Sequence, residues 1–195
     1  RLYENNGVVK RSNISEYLKK INQDDRKKLR KLGVKFGRYH VFLFKLFKPS
    51  SVSLRILLWK SYNNEFFNLS PPTFGLNFLN NMKAANKDFM LLCGFEKFDD
   101  IYVRIDILER LFLLIFNSEK DEKKEVKVIP EMLNLLGCSK ENFKKLLKKM
   151  DYKIYEKEKE FFIKYVPTKK KIFKKYDKKD YSNNPFSVLN QLNLK

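Results

Sequence analysis

Residues that build disulfide frameworks, zinc sites and phosphate-binding loops are scarce in this sequence. It has two cysteines, one histidine and six glycines. Neither Cys93 nor Cys138 has a second cysteine or histidine at metal-ligand spacing, which argues against both a disulfide framework and a zinc knuckle. No glycine pair forms the GxxxxGK[ST] loop that wraps nucleotide phosphates. We therefore expect no ATPase site, no catalytic residue, no metal and no cofactor in this chain.

Long apolar runs are missing as well. The most hydrophobic stretch, 105–116, is interrupted by Asp106, Glu109 and Arg110, whereas a membrane-spanning helix needs roughly 18 apolar residues. We expect a soluble, cytoplasmic protein that does not contact a membrane. No heptad seam is evident, which favours a monomer. Since the chain starts at Arg1 in a segment that is neither a signal nor a transit peptide, we also expect it to be a fragment of a longer protein.

Positive charge is abundant and unevenly distributed. The chain carries 42 basic and 23 acidic side chains, a net charge of +19. Residues 10–60 hold 15 basic and 3 acidic side chains, whereas residues 61–110 hold 5 and 7. A concentrated positive field is expected of a surface that binds a polyanion, because each neutralised phosphate releases condensed counterions. A merely basic surface is the open alternative, since lysine is frequent throughout the chain.

Residues 1–63 are predicted to form a basic N-terminal subdomain of helical and extended segments. Apolar residues near helical spacing, from Ile14 to Leu32, predict a helix over 12–32, either continuous or broken near Asn22. β-branched and aromatic residues favour an extended segment over 34–47. A second helix is predicted to follow, capped by Ser50 or Ser51. Its inner face is expected to carry Leu54, Leu57, Leu58 and Trp59.

A loop over 64–83, containing Ser-Pro-Pro, is predicted to lead into a module at 84–166. In that module, apolar spacing predicts a first helix over 105–115, and the sequence VKVI predicts a short strand. Further signals predict a second helix from Pro130, a turn, a third helix capped by Ser139 and a β-hairpin. This order is that of a winged helix. The predicted fold class is mainly α with a small amount of β, an α+β protein.

The predicted third helix is the first candidate for a functional surface. Its inward face carries Phe143, Leu146, Leu147 and Met150. Its outward face carries Lys140, Asn142, Lys144, Lys145, Lys148 and Lys149. This composition suits a helix laid against phosphates, and lysine rather than arginine favours backbone contact over base readout. The solvated face of an ordinary core helix would show the same pattern, so that alternative stays open.

Two further sets of residues extend this hypothesis. In the hairpin, glutamates are interleaved with the lysines that would form a wing contact, Lys153, Lys157, Lys159 and Lys164. In the N-terminal subdomain, basic residues stand beside Tyr39 and Phe36, either of which could stack on a base or belong to the core. This second candidate set is Lys35, Arg38, Tyr39 and Lys48. For Trp59 we favour a place in the core over stacking.

Catalytic interpretations of the polar residues are weaker. His40, the single histidine, is more consistent with a packed or surface residue than with a general base. A carboxylate group for a nuclease metal could be assembled from Asp99, Asp100, Asp106 and Glu109. Asp100 and Asp106 are better explained as residues that flank or open a helix, where the helix dipole favours negative charge.

Several motifs resemble a known family. They include LYENNGVVKR (2–11), LGVKFGRYHVFL (32–43), RIDILERL (104–111), LNLLGCS (133–139) and NPFSVLNQLNLK (184–195). In this order they resemble the C-terminal region of alphaproteobacterial superfamily-two ATP-dependent helicases related to the mitochondrial degradosome RNA helicase. The resemblance implies that two RecA-like motor lobes, with the Walker motifs and a site for ATP and Mg, lie upstream in the parent chain. It transfers no catalytic residue to this chain.

The leading hypothesis is a non-catalytic accessory domain that holds nucleic acid, with RNA favoured over DNA, while the motor lobes of the same parent chain translocate. A free-standing winged-helix DNA-binding regulator is a second hypothesis. A third is a scaffold that recruits a protein partner. Residues 167–195 are predicted to form a basic linker and a short apolar tail, and the tail at 184–195 would dock either on its own body or on that partner.

Overall fold

The computed structural model describes residues 1–63, 68–80, 86–118, 125–157 and 160–166. These residues divide into two compact units. The first contains Arg1–Phe74 and Asp88–Gly94, and the second contains Gly75–Lys87 and 95–166. The predicted loop at 64–83 therefore spans the change from one unit to the other, and the predicted linker and tail at 167–195 lie outside the described residues. Three small antiparallel sheets accompany the helices, so the protein is α+β, as predicted.

The first unit contains helices around one small sheet. Its elements are β1 (Val8–Lys10), a 3-10 helix (Arg11–Ile14), α1 (Ser15–Lys20), α2 (Gln23–Lys31), β2 (Val34–Phe36), β3 (His40–Leu43), a second 3-10 helix (Phe44–Phe47), α3 (Pro49–Tyr62) and α4 (Lys87–Leu92). The strand order is β1-β3-β2. Buried apolar residues of β1, β2, β3, the first 3-10 helix and α1 form a core cluster: Val9, Ile14, Leu18, Val34 and Val41.

The helix predicted over 12–32 is divided in two. Ile21 has an extended backbone, and the side chain of Asn22 accepts a hydrogen bond from the backbone N–H of Asp25. Asn22 thus caps α2, because an asparagine side chain satisfies an N–H group that has no partner within the helix. Leu32, which the spacing assigned to the apolar side, is 70% exposed.

The segment predicted as extended over 34–47 is a hairpin followed by a 3-10 helix. Lys35 pairs with Phe42, and Phe36 pairs with Val41, across β2 and β3. Gly37 N–H donates to the carbonyl of His40 at 2.8 Å and closes the turn. The propensity for strand was correct, but the segment folds back on itself, so that its two strands pair antiparallel.

The predicted inner face of α3 is wrong. Leu54, Leu57 and Leu58 are 57%, 62% and 48% exposed, while the buried residues are Val52 and Ile56. Ser50 and Ser51 lie inside the helix, which starts at Pro49 without a side-chain cap. Trp59 is half-buried, with its ring centroid 5.7 Å from that of Phe89.

The second unit contains the two remaining sheets. Its elements are β4 (Phe78–Leu79), β5 (Phe95–Phe98), β6 (Ile101–Arg104), α5 (Ile105–Asn117), β7 (Val126–Lys127), α6 (Pro130–Leu136), α7 (Lys140–Lys149), β8 (Tyr152–Lys157) and β9 (Glu160–Tyr165). The strand orders are β4-β6-β5 and β7-β9-β8. The predicted inner face of α5 is confirmed, because Ile105, Leu108, Leu111, Phe112 and Ile115 are all buried.

The turn between α6 and α7 also follows the prediction. Gly137 has a left-handed backbone, with φ of 64°, and its N–H donates to the carbonyl of Leu133. Ser139 caps α7, since its Oγ accepts a hydrogen bond from the N–H of Asn142. Glycine suits the left-handed position because it lacks a Cβ. None of the helices in the described ranges is both long and apolar enough to cross a membrane.

Candidate nucleic-acid interface

Helix α7 has one buried side and one polar side, as predicted. Phe143, Leu146, Leu147 and Met150 are at most 7% exposed. The polar residues occupy the remaining positions around the helix, so their side chains fall into three groups along its circumference. Two groups border the buried side, and the third lies between them.

The first border of α7 faces strand β9. The Nζ atom of Lys144 lies 3.8 Å from the ring centroid of Phe161, and that of Lys140 lies 6.0 Å away. Both distances are within the range of cation–π attraction. Lys144 is half-buried while Lys140 is exposed. Lys144 therefore contributes to packing as well as to surface charge, because its aliphatic stem and ammonium cover an aromatic ring.

The second border of α7 faces residues of the other sheet. Asn142 Oδ1 accepts a hydrogen bond from Asn80 Nδ2 at 3.3 Å. Lys149 forms an ion pair with Asp99, and the hydrogen bond to that carboxylate raises the pKa of the Lys149 ammonium. Asp99 lies in the turn between β5 and β6 with φ of 55°. The charge of Lys149 is thus partly neutralised within the protein.

Lys145 and Lys148 form the central group. Both side chains are exposed, and neither has an ion-pair partner within the described ranges. Glu141 lies beside them on the same exposed face and subtracts one charge. Of the six predicted residues on α7, these two lysines are therefore the cations most accessible to a phosphate.

The three-stranded sheet beside α7 has an outward face, of which the sequence analysis predicted only lysines of the hairpin. Tyr155 lies directly opposite Phe162, which lies directly opposite Lys127. Residues directly opposite each other share a face of the sheet, so these three side chains form a row. The alternation of the segment YKIYEK was the signal that could have found Tyr155. Placing Phe162 and Lys127 required the strand register.

The lysines of this face have different surroundings. Lys153 lies directly opposite Lys164. Lys157 Nζ lies 2.5 Å from Glu125 Oε2 and 5.2 Å from the ring centroid of Phe162. Lys127 Nζ lies 2.5 Å from Glu160 Oε1. Of the glutamates interleaved in the hairpin, Glu160 thus pairs with Lys127 on β7, whereas Lys157 pairs with Glu125, which precedes β7. Lys159 lies outside the described residues.

The second predicted set lies in the first unit. Lys35 is exposed, with Nζ 6.0 Å from the ring centroid of Phe44. Arg38 is exposed in the turn between β2 and β3, and its guanidinium lies 5.6 Å from the ring centroid of half-buried Tyr39. Lys48 is exposed immediately before α3. The ring of Tyr39, which was predicted to stack on a base, therefore already has a cation over it.

Two arginines near this turn were not predicted as site residues. Arg11 Nη1 donates to the carbonyl of Gly37 at 2.8 Å. The guanidinium of Arg30 lies 5.7 Å from the ring centroid of Phe36. Both bring positive charge to the hairpin β2–β3, and the contact of Arg11 spans 26 positions in the sequence, which is why local composition did not reveal it.

The residues considered for catalysis occupy structural positions. Asp106 lies in the first turn of α5, as predicted, and accepts two hydrogen bonds from Arg104 at 2.9 and 2.6 Å. Asp100 lies in the turn between β5 and β6, so the prediction that it flanks the start of a helix is wrong. His40 is buried in β3 opposite Lys10. Among the described residues, no group of three or more histidine, cysteine, aspartate or glutamate side chains could hold a metal.

The cysteines have low reactivity in this environment. Burial raises the pKa of the Cys93 thiol to about 12 and that of the Cys138 thiol to about 11. At neutral pH both are therefore protonated, and the thiolate is the form that acts as a nucleophile or a metal ligand.

Comparisons of the chain with protein-family models, with curated proteins and with solved structures found no match in any of the three. The resemblance to helicases therefore rests on the motifs of the chain alone. The physical basis for a function is the charge, the exposure and the contacts of the residues described above.

Proposed function

We propose that this chain is a non-catalytic nucleic-acid-binding module, the C-terminal accessory domain of a cytoplasmic ATP-dependent RNA helicase, and that its second unit contains a winged helix. The order of α5, β7, α6, α7 and the β8–β9 hairpin supports the winged-helix interpretation, since it is helix, strand, helix, helix and hairpin. The strand order β7-β9-β8, in which the strand after the first helix pairs with the last strand, agrees with it.

The observation that carries the proposal is the pair Lys145 and Lys148 at the centre of the polar side of α7. Because the opposite side of α7 is buried, the backbone of the helix is held in place, and both lysines project from it into solvent on flexible stems. Lysine ammonium groups bind phosphate as point charges rather than reading bases through a planar fork. We therefore propose contact with the nucleic-acid backbone, which would be largely independent of sequence.

The partners follow from the same proposal. RNA would be held on α7 and on the basic hairpin of the first unit, while ATP and Mg would bind to motor lobes of the same parent chain. These lobes and the RNA preference rest on the motif resemblance. The tail at 184–195 would provide a further contact, either with these lobes or with a protein partner.

The decisive experiment replaces Lys145 and Lys148 together by alanine in the full chain. We expect weaker binding to RNA oligonucleotides of any sequence, with the slope of log affinity against log salt reduced by about 0.7 to 0.9 for each lost phosphate contact. Alanine favours helix and leaves the apolar side unchanged, so folding should be retained. Fluorescence anisotropy over a salt series measures both quantities.

Two variants control this experiment. Glu141→Gln removes a negative charge from the same face and should strengthen binding. Lys149→Ala removes a lysine that is already paired with Asp99, so it should change the slope less than Lys145→Ala. If the double variant binds like the original chain, while joint replacement of Lys35, Arg38 and Lys48 abolishes binding, α7 is not the contact surface and the first unit is. ATP hydrolysis by the pure chain would contradict the non-catalytic assignment.

A further inference from the structure

We propose that the outward face of the sheet β7-β9-β8 is a stacking platform for the bases of single-stranded nucleic acid. This face is separate from the polar side of α7, and its ligand is recognised through aromatic rings as well as charge. The inference rests on the proposed function, because both require a nucleic acid as the partner. It assigns the bases to Tyr155 and Phe162 and the adjoining phosphates to Lys153 and Lys164.

The register places the two rings together on the exposed side of the sheet. Tyr155 and Phe162 are a directly opposed pair on neighbouring strands, and the side chains of such pairs are about 5 Å apart at Cβ. Tyr155 is 37% exposed, and Phe162 is partly exposed beside it, with Lys157 Nζ 5.2 Å from its ring centroid, so Tyr155 is the more accessible of the two rings. By contrast, the other side of the same strands carries Tyr152 and Ile163, which are 4% and 1% exposed. The outward rings are therefore not part of the core.

The charges at the end of this face are unfavourable without a ligand. Lys153 and Lys164 lie directly opposite each other, and like charges in that position destabilise a sheet. Neither has an ion-pair partner in the ranges that the structure describes. A phosphate placed between the two ammonium groups would convert this repulsion into attraction. Toward the other end of the face, by contrast, Lys127 is paired with Glu160 and Lys157 with Glu125.

The distances along the strand suit a nucleotide. Lys153 and Tyr155 are two residues apart on the same face of β8, which corresponds to about 7 Å in a strand. This is of the order of the separation between a phosphate and the base of a nucleotide in an unstacked strand. A single strand crossing the sheet would thus place a phosphate at the lysine pair and a base over the aromatic pair. Stacking on a ring needs no sequence readout because every base has a π face.

Ring geometry and charge together favour nucleic acid over an apolar protein segment. An apolar partner would leave Lys153 and Lys164 facing each other with no compensating charge. A purely ionic ligand, such as free phosphate, would leave the two rings exposed. A single-stranded nucleic acid satisfies both features at once.

The test uses the full chain and three variants, Tyr155→Leu, Tyr155→Phe and the control Tyr3→Leu. The probes are a short fluorescent uridine oligomer and an oligomer of equal length with abasic sites in place of the bases. Leucine keeps apolar area but removes the π face, phenylalanine keeps the ring, and Tyr3 is an exposed tyrosine of the other unit. Far-UV circular dichroism checks that each variant is folded.

We expect Tyr155→Leu to weaken binding of the uridine oligomer roughly five-fold or more, the lower end of the range for aromatic stacking on a base. Tyr155→Phe and Tyr3→Leu should bind like the original chain. Binding of the abasic oligomer and the salt slope should be unchanged by Tyr155→Leu, because no charge is lost. The original chain should also bind the uridine oligomer at least five-fold more tightly than the abasic one, a comparison that needs no variant.

Three results would overturn the platform. They are unchanged uridine binding by Tyr155→Leu, equal losses in the leucine and phenylalanine variants, and equal losses for the uridine and abasic oligomers. These results are separate from failure of the α7 surface, which is judged from the salt slope of the Lys145 and Lys148 variant. If that slope is unchanged while Tyr155→Leu loses uridine binding, the platform is supported and the α7 contact is rejected.

Discussion

Helices α3 and α7 differ in how well their sequences predict which side of the helix is buried. In α7, four apolar residues lie on one side and charged residues fill the other side, and the predicted buried set is the observed one. In α3, apolar residues occur around the whole circumference, and the predicted inner residues Leu54, Leu57 and Leu58 are exposed. The difference teaches that the buried side of a helix can be predicted only when polar residues mark the opposite side as facing solvent. A helix without a polar side gives no orientation.

The largest expected contrast between the two helices is the effect of a leucine truncation. Leu146 of α7 is 0% exposed, whereas Leu57 of α3 is 62% exposed. We expect Leu146→Ala to lower the free energy of unfolding by about 2 to 5 kcal/mol, because it removes buried apolar contacts and leaves a cavity. Leu57→Ala should change it by less than about 0.5 kcal/mol, as surface substitutions usually do.

Urea unfolding followed by far-UV circular dichroism measures both values. The fluorescence of Trp59, the single tryptophan of the chain, reports separately on the unit that contains α3. A loss of more than 2 kcal/mol in Leu57→Ala would mean that this leucine is buried against another part of the protein in solution. The comparison between α3 and α7 would then lose its basis.

Sequence predicted the elements from α5 to β9 better than those of the first unit. The elements from α5 to β9 were predicted because periodicity, Pro130, Gly137 and Ser139 all indicate the same boundaries. In the first unit, local signals conflict, since Asn22 interrupts a helical pattern and a turn at 37–39 divides a strand-forming segment. The fold of that unit therefore depends on contacts between distant residues, such as the pairing of Val9 with Val41.

The candidate site was predicted in its composition but not in its geometry. Sequence identified the six polar residues of α7, but it did not distinguish Lys149, which is paired with Asp99, from the exposed Lys148. That distinction depends on a residue 50 positions away. Likewise, the row formed by Lys127, Phe162 and Tyr155 depends on strand register, which a local pattern does not specify across three strands.

The serines at the starts of α3 and α7 provide a second contrast, with an intermediate expected effect on the free energy of unfolding. Ser139 accepts a hydrogen bond from the N–H of Asn142 at the start of α7, whereas Ser50 lies within α3 and caps nothing. We expect Ser139→Ala to lower the free energy of unfolding by about 1 kcal/mol. Ser50→Ala should leave it unchanged or raise it slightly, because alanine has the higher helix propensity. Equal losses in the two variants, measured by urea unfolding, would contradict this assignment of the caps.

The smallest expected effect separates two lysines on the polar side of α7. Lys144 Nζ lies 3.8 Å from the ring centroid of Phe161, while Lys148 is exposed. We expect Lys144→Ala to cost about 0.5 to 1 kcal/mol of unfolding free energy, the usual range for a cation–π contact near the surface. Lys148→Ala should cost nothing measurable. In a Phe161→Leu background the cost of Lys144→Ala should shrink, because the ring that attracts the ammonium is absent. If the cost is the same in both backgrounds, Lys144 does not stabilise the fold through Phe161, and it would be as available for phosphate as Lys145 and Lys148.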